Sequence, residues 1–114
     1  MEKKAKKIPR QPATARRKDV SAMVEDIVGC KWSLSVLRLV RDGVNRPGAM
    51  QKAVDGLSTK VLNERLRKLQ RFGIVEKHAY PEIPPRVEYQ LTDFGARFSS
   101  LLDGVASLQG WLDA

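Results

Sequence analysis

Residues 55–91 decide the fold, and they read DGLSTKVLNERLRKLQRFGIVEKHAYPEIPPRVEYQL. Ser58 is a good helix N-cap, because its hydroxyl can accept a hydrogen bond from a free backbone amide of the first turn. Leucines then recur at helical spacing and form one apolar stripe: Leu62, Leu66 and Leu69. Gly73 ends the pattern, as glycines commonly do after a helix. The stretch therefore predicts an amphipathic helix with one buried face and one polar face.

After Gly73 the hydrophobic period changes from that of a helix to that of a strand. Apolar and polar residues alternate over 87–91, which predicts a half-buried strand. Residues 74–80 are its predicted partner. The intervening segment 81–85 reads PEIPP, and prolines cannot donate to a ladder. We therefore expect a hairpin with a stiff tip outside the sheet.

Helices are also predicted on both sides of this stretch. Three short ones precede it: residues 20–28 closed by Gly29, a helix capped by Ser33 and ended by Gly43, and a helix from Pro47 that stops at Gly56. Thr92 caps a long final helix, whose apolar residues follow three/four spacing: Phe94, Phe98, Leu101, Leu102, Val105, Leu108 and Leu112. The predicted fold class is α+β and mainly helical.

Two helices joined by a tight glycine-containing turn and followed by a hairpin describe a winged helix-turn-helix. Propensity alone leaves other small α+β folds open, and particular motifs narrow the choice. They are GCKWSL at 29–34, GLS at 56–58, YPEIPPRVEY at 80–89, and Leu91-Thr92 with Gly95. Over residues 20–112 these motifs resemble the HxlR family of bacterial, MarR-like transcriptional regulators. The resemblance implies a homodimeric regulator that binds double-stranded DNA.

The polar face of the helix after Ser58 carries the candidate DNA-binding residues. Helix-turn-helix proteins place the N-terminal part of this helix in the major groove, so Thr59, Lys60 and Asn63 are assigned to base edges. The other candidates are assigned to the DNA backbone or the minor groove: Ser58, Arg67 and Arg71 on phosphates, Arg86 of the wing, and Arg46 and Lys52 around the third helix. The alternative to DNA contact is an ordinary solvated charged helix face, with Arg86 paired to Glu82 or Glu88.

The charge distribution also favours a polyanionic partner. The chain has 114 residues, 21 of them basic and 13 acidic, for a net charge of +8. Residues 1–18 carry +7 and are predicted to form a disordered basic arm ahead of one domain at 19–114. Residues 31–71 carry another +7, between two acidic segments of −3 each. A basic arm alone suits a non-specific nucleic-acid or chromosome-associated binder, which is the alternative function.

Other classes of protein fit the sequence poorly. A paired nucleophile and base, a glycine-rich phosphate loop and metal-ligand spacing are all missing, so we expect neither an enzyme nor a cofactor. No stretch approaches the roughly 18 apolar residues of a membrane span. A single cysteine cannot form an internal disulfide, which makes the cytoplasm the expected location. The expected DNA binding would place the protein on the nucleoid.

Cys30 and the terminal helices raise two further questions. Cys30, beside Lys31, is either a thiol sensor or a small buried residue, and the second interpretation is preferred. The sensing cysteine of some HxlR-type proteins precedes the first helix, where this chain has Asp19. The first and last helices, with Trp111, have more apolar surface than one domain needs, which predicts dimerisation. A small-molecule effector could bind between these helices and the core, but the sequence identifies none.

Overall fold

The computed structural model describes residues 19–114 as five helices and one antiparallel hairpin. The elements are α1 Val20–Gly29, α2 Ser33–Arg41, α3 Pro47–Ala53, α4 Thr59–Arg71, β1 Val75–Tyr80, β2 Arg86–Leu91 and α5 Asp93–Asp113. The predicted order of four helices, a hairpin and a long helix is confirmed. The predicted arm, residues 1–18, lies outside the described part of the chain. Within residues 19–114, no helix has the length and apolar character to cross a membrane.

The core lies where α1, α2 and α4 meet the start of the hairpin. The predicted leucine stripe of α4 is fully buried in it, and Ile27, Leu37, Met50 and Ile74 fill the space around the stripe. The two strands pair from Val75 opposite Leu91 to Tyr80 opposite Arg86. The α2–α3 loop joins the hairpin as well, because the Tyr89 amide donates to the Asn45 carbonyl at 2.8 Å. The wing is therefore fixed to the helical body at its base.

Both predicted ends of α4 are confirmed. The Ser58 side chain accepts a hydrogen bond from the Val61 amide at 3.1 Å, which satisfies one free donor of the first turn. Gly73 follows the helix with φ of 77°, a conformation that glycine adopts without the strain of a Cβ. The chain then enters β1 at Val75 rather than at residue 74, and β2 begins at Arg86 rather than at residue 87.

The predicted start of α2 is wrong in detail. The N-cap is Trp32, with no side-chain cap, whereas Ser33 is the first helical residue and is fully buried. Trp32 adopts a left-handed backbone, φ 76°, that costs about 1–2 kcal/mol in an L-residue. Packing of the indole offsets this cost, because the half-buried ring lies against the core and below the α3–α4 turn. A Cβ built on Gly56 of that turn would lie 3.8 Å from the ring.

The predicted apolar residues of α5 lie on two faces of the helix, one buried and one exposed. Phe98 and Leu102 are buried in the core, on the side of the helix that Gly95 also occupies. The other predicted apolar residues are exposed on an adjacent face, with Trp111 beside them: Phe94, Leu101, Val105, Leu108 and Leu112. Successive residues of a helix turn by about 100°, so these exposed positions align along one edge. We call this edge the α5 apolar face.

The backbone packs tightly on itself at the junction between the hairpin and α5. The Thr92 hydroxyl accepts from the Gly95 amide at 2.9 Å, which confirms its predicted cap, and donates to the Gly73 carbonyl at 2.6 Å. Gly95 packs directly against the Ile74 carbonyl, and a Cβ at this position would overlap that oxygen. Only glycine therefore allows α5 to start beside the end of α4.

Replacing Gly95 by alanine tests this junction. We expect Gly95→Ala to lower the free energy of unfolding by about 2 kcal/mol or more, because the methyl group overlaps backbone that cannot move aside cheaply. Gly104→Ala is the matched control, since nothing lies near a Cβ there and helix propensity should raise stability by about 0.5–1 kcal/mol. Urea denaturation at one protein concentration measures both variants. Equal effects at the two glycines would contradict the close approach.

Candidate nucleic-acid interface

One face of α4 is polar, exposed and basic. Ser58, Thr59, Lys60 and Asn63 lie at its N-terminal end, and Arg67 and Arg71 lie further along the same helix, all exposed. Lys60, Arg67 and Arg71 form no ion pair with any described residue. The structure thus places Lys60, Asn63, Arg67 and Arg71 on one accessible side of α4, with Ser58 and Thr59 exposed at its N-terminal end. We call this set the recognition face.

Two other basic residues of α4 have a different role, which the sequence did not reveal. Arg65 donates from Nε to the Lys31 carbonyl at 3.0 Å, across the α1–α2 junction. Lys68 lies 2.5 Å from a carboxylate oxygen of Asp26 on α1, and its side chain is largely buried. These two contacts hold α4 against the first two helices. The basic charge of α4 is therefore divided between attachment to the fold and the recognition face.

The turn ahead of α4 contains a polar residue that sequence reasoning missed. Gln51, in the last turn of α3, donates from Nε2 to the Leu57 carbonyl at 3.3 Å and to the Thr59 hydroxyl at 3.0 Å. A glutamine on a short, mostly exposed helix gives no signal that separates it from a solvated side chain. The contact reaches directly into the recognition face.

Arg86 is the first residue of β2, next to the wing tip, and already has partners there. Its guanidinium stacks on the Tyr80 ring, with Cζ 4.1 Å from the ring centroid. It also pairs with Glu82 at 3.1 Å and with Glu88 at 3.7 Å. The two carboxylates are those that the sequence offered as the alternative to DNA contact. In this structure Arg86 is preorganised near the wing tip, and its charge is largely balanced.

The remaining predicted basic residues lie at the two ends of α3. Arg46 extends toward the wing, where its Nε is 3.5 Å from a Glu88 oxygen, so Glu88 lies between two arginines. Lys52 is exposed on α3. The wing tip carries one apolar side chain, Ile83, which is fully exposed between the prolines. Arg46 and Lys52 therefore place two basic side chains at the ends of α3, with Arg46 turned toward the wing.

Cys30 is half-buried at the α1–α2 junction. Its thiol pKa is lowered chiefly because the Ser33 hydroxyl approaches the sulfur, an effect that burial opposes and that Lys68 and Arg65 reinforce. These neighbours favour a thiolate, which is the reactive form of cysteine. No described residue is a second thiol, and residues 19–114 contain no group of three side chains that could hold a metal ion.

A helix with an exposed basic face, a tight turn before it and a hairpin wing after it define a winged helix-turn-helix, a DNA-binding class. Comparison with known families agrees with this geometry. The model of the HxlR-like helix-turn-helix family matches residues 27–114, and the chain belongs to that family. Fold and family together make it a helix-turn-helix transcriptional regulator.

Curated relatives are regulators of the same type. The chain is 44% identical over 91 residues to the HTH-type transcriptional regulator sll1512 of Synechocystis. The aligned region covers 79% of this chain and 67% of the relative. The chain is 34% identical over 86 residues to the HTH-type regulator YtfH of Escherichia coli. This alignment covers 75% of this chain and 66% of the relative. The match thus spans about two thirds of the length of these relatives.

Solved structures show the same architecture. The reduced form of the transcriptional regulator YodB from B. subtilis superposes with a TM-score of 0.67 at 28% identity, covering 81% of this chain and 87% of that one. A MarR-family regulator from Enterococcus faecalis also gives 0.67, at 29% identity, covering 96% and 92%. The predicted winged helix-turn-helix fold is confirmed.

The carboxylates of the wing predict how its arginine behaves toward DNA. Glu82→Gln removes one partner of Arg86 and one negative charge near the phosphates, so we expect DNA affinity to rise about two- to fivefold. Glu25→Gln makes the same charge change on α1, away from the wing, and should have a smaller effect. Fluorescence anisotropy with a labelled duplex at fixed salt measures both. Weaker binding by Glu82→Gln would show instead that Glu82 orients Arg86 productively.

Proposed function

We propose that the chain is a homodimeric, sequence-specific regulator that reads an inverted-repeat operator with the N-terminal end of α4. The observation that carries the proposal is the division of α4 into a fully buried leucine stripe and the exposed recognition face. In helix-turn-helix proteins this end of the helix meets base edges in the major groove. Transcriptional regulation in the cytoplasm, on nucleoid DNA, is the corresponding role.

The proposed contacts follow from the side chains on that face. Lys60 can donate to guanine acceptors and Asn63 can pair with adenine, while Thr59 lies at the first helical position. The Ser58 hydroxyl is occupied by the Val61 amide, so its phosphate contact would use free backbone amides of the first turn. The remaining residues are proposed to contact the DNA backbone or minor groove: Arg67, Arg71, Arg46, Lys52 and Arg86.

The α5 apolar face supports the homodimer. Leu108 is 68% exposed and Trp111 is 75% exposed, in a helix that is otherwise anchored to the core through Phe98 and Leu102. Val20 and Val28 of α1 add further exposed apolar surface. A second copy of the chain that covered these residues would remove them from water, at a gain of about 25 cal/mol per Å² of apolar area. The dimer would then present two recognition faces to two half-sites.

An effector site remains part of the proposal, without an identified ligand. A cavity of about 400 Å³ opens between α1, α2 and α5, lined by apolar side chains with Arg38, Gln109 and Asp113 at its polar positions. It lies between the core and the proposed dimerisation helices. Catalysis is not part of the proposed role, since the described residues offer binding surfaces rather than a nucleophile paired with a base.

Selection from a random pool of double-stranded DNA at about physiological salt tests base reading. We expect one inverted repeat to be enriched, with half-sites about one DNA turn or a multiple apart. Lys60→Ala and Asn63→Ala should each lose about 1–3 kcal/mol of discrimination at particular base pairs. Arg71→Ala is the control for a phosphate contact, and should weaken binding to all sequences about equally.

The competing function is non-specific binding led by residues 1–18. Its support is their charge of +7, almost the whole net charge of the chain. Removal of these residues should weaken binding to the selected repeat while its sequence preference stays, because the recognition face is intact. Binding that disappears with residues 1–18, or a pool that enriches no sequence, would instead favour the non-specific binder.

Sedimentation at micromolar concentration tests the dimer. Wild-type protein should sediment as a dimer and Leu108→Glu as a monomer, because a carboxylate on the α5 apolar face would be desolvated in the interface. Ala49→Glu adds the same charge at an exposed position on α3, outside the α5 apolar face, and should remain dimeric. Both residues are exposed in the single chain, so neither change should unfold it. A monomeric wild type would refute the homodimer.

A further inference from the structure

Gln51 connects the α3–α4 turn to the first residue of the recognition helix. Its single amide nitrogen donates both to the Leu57 carbonyl at 3.3 Å and to the Thr59 hydroxyl at 3.0 Å. Leu57 is buried, whereas Thr59 is exposed on the recognition face. One half-buried side chain therefore joins the anchored part of the turn to a group that faces solvent.

The chemistry of the two acceptors fixes the direction of these hydrogen bonds. A backbone carbonyl only accepts, so the nitrogen of the Gln51 amide, and not its oxygen, must face Leu57. The same nitrogen faces Thr59 Oγ1, which therefore acts as the acceptor in this contact. The Thr59 hydroxyl keeps its hydrogen and its second lone pair for a group outside the contact, and accepting from Gln51 polarises it to act as a donor.

We infer that Gln51 is a positioning residue for DNA readout: it fixes the Thr59 hydroxyl as a donor toward the major groove. Thr59 would accordingly prefer a base edge that accepts, such as guanine N7 or O6 or thymine O4, over the amino group of cytosine. Gln51 itself need not touch DNA. The inference rests on the proposed function, since it concerns how the recognition face discriminates between bases.

The chain offers a direct comparison between the two partners. Gln51→Met keeps the length of the side chain and removes both hydrogen bonds, and Thr59→Val keeps the shape and removes the hydroxyl. The affinity of each variant is measured for the selected repeat and for its single-base-pair substitutions. We expect both variants to lose about fivefold discrimination at the same base pair, the equivalent of one hydrogen bond, and the double variant to lose no more than either.

Gln51→Glu is the second variant, because it reverses the polarity of the contact. A carboxylate can only accept, so the Thr59 hydroxyl would donate to it and present a lone pair to the groove. The preference at that base pair should shift toward a base that donates an amino group, in addition to a uniform loss from the added negative charge. Gln70→Met, on α4 and outside this contact, is the control and should keep the wild-type profile.

The outcomes separate the inference from the proposed function. Loss of preference at one shared base pair, in variants that are fully folded before the urea transition, supports the positioning role. An unchanged profile in Gln51→Met, or a loss spread evenly over all base pairs, overturns it while the regulator still reads DNA. A wild-type protein that shows no sequence preference overturns the proposed function itself, and the inference with it.

Discussion

The Thr92 hydroxyl lies at the point where the recognition helix, the wing and the long terminal helix meet. It donates to the Gly73 carbonyl just after α4 and accepts from the Gly95 amide in the first turn of α5. The Thr92 amide completes the junction by donating to the Ile74 carbonyl at 3.0 Å. Because Gly95 has no Cβ, the start of α5 can pack against the same carbonyl. The orientation of α5 relative to α4 is therefore set by one side-chain hydroxyl together with backbone groups, which have no rotamers to change.

This junction gives the division of charge on α4 its significance. Arg65 and Lys68 attach the helix to Lys31 and Asp26 at one side, while the junction holds its C-terminal end. The recognition face is consequently carried by a helix that is fixed along its length. The backbone of such a helix loses little further freedom on binding, and preorganisation of this kind favours discrimination between bases. The net charge of the chain alone would not distinguish attachment from recognition.

Sequence alone predicted the parts of the structure that local chemistry determines. The cap, the leucine stripe and Gly73 of α4 all lie within 16 residues of one another, and each acts on its immediate neighbours. The left-handed backbone of Trp32 was not predictable in this way, because the packing that stabilises it involves the distant turn at Gly56. The contact of Gln51 with Thr59 was missed for the related reason that a tight turn brings them together.

The assignment of residues to sites was harder to predict than the fold. A basic residue near a wing has the same sequence signal whether it is balanced, like Arg86, or unpaired. Helical spacing likewise identified the apolar residues of α5, but not which of them the core of a single chain covers. In both cases the missing information was the three-dimensional position of a neighbour. Periodicity reports which residues share a helix edge, but not whether a neighbour exists to cover that edge.

A physical connection between the α5 apolar face and the recognition face follows from the same contacts. Arg41 on α2 forms an ion pair with Asp103 on α5, and its guanidinium holds the pKa of that carboxyl below its usual value. Together with the Thr92 junction, α5 is tied to the helical body at two levels. In the proposed dimer, any change in how two copies pair along α5 would therefore be transmitted to the separation of their recognition helices. The cavity between α1, α2 and α5 lies beside this connection, where an occupant could alter that separation without contacting DNA.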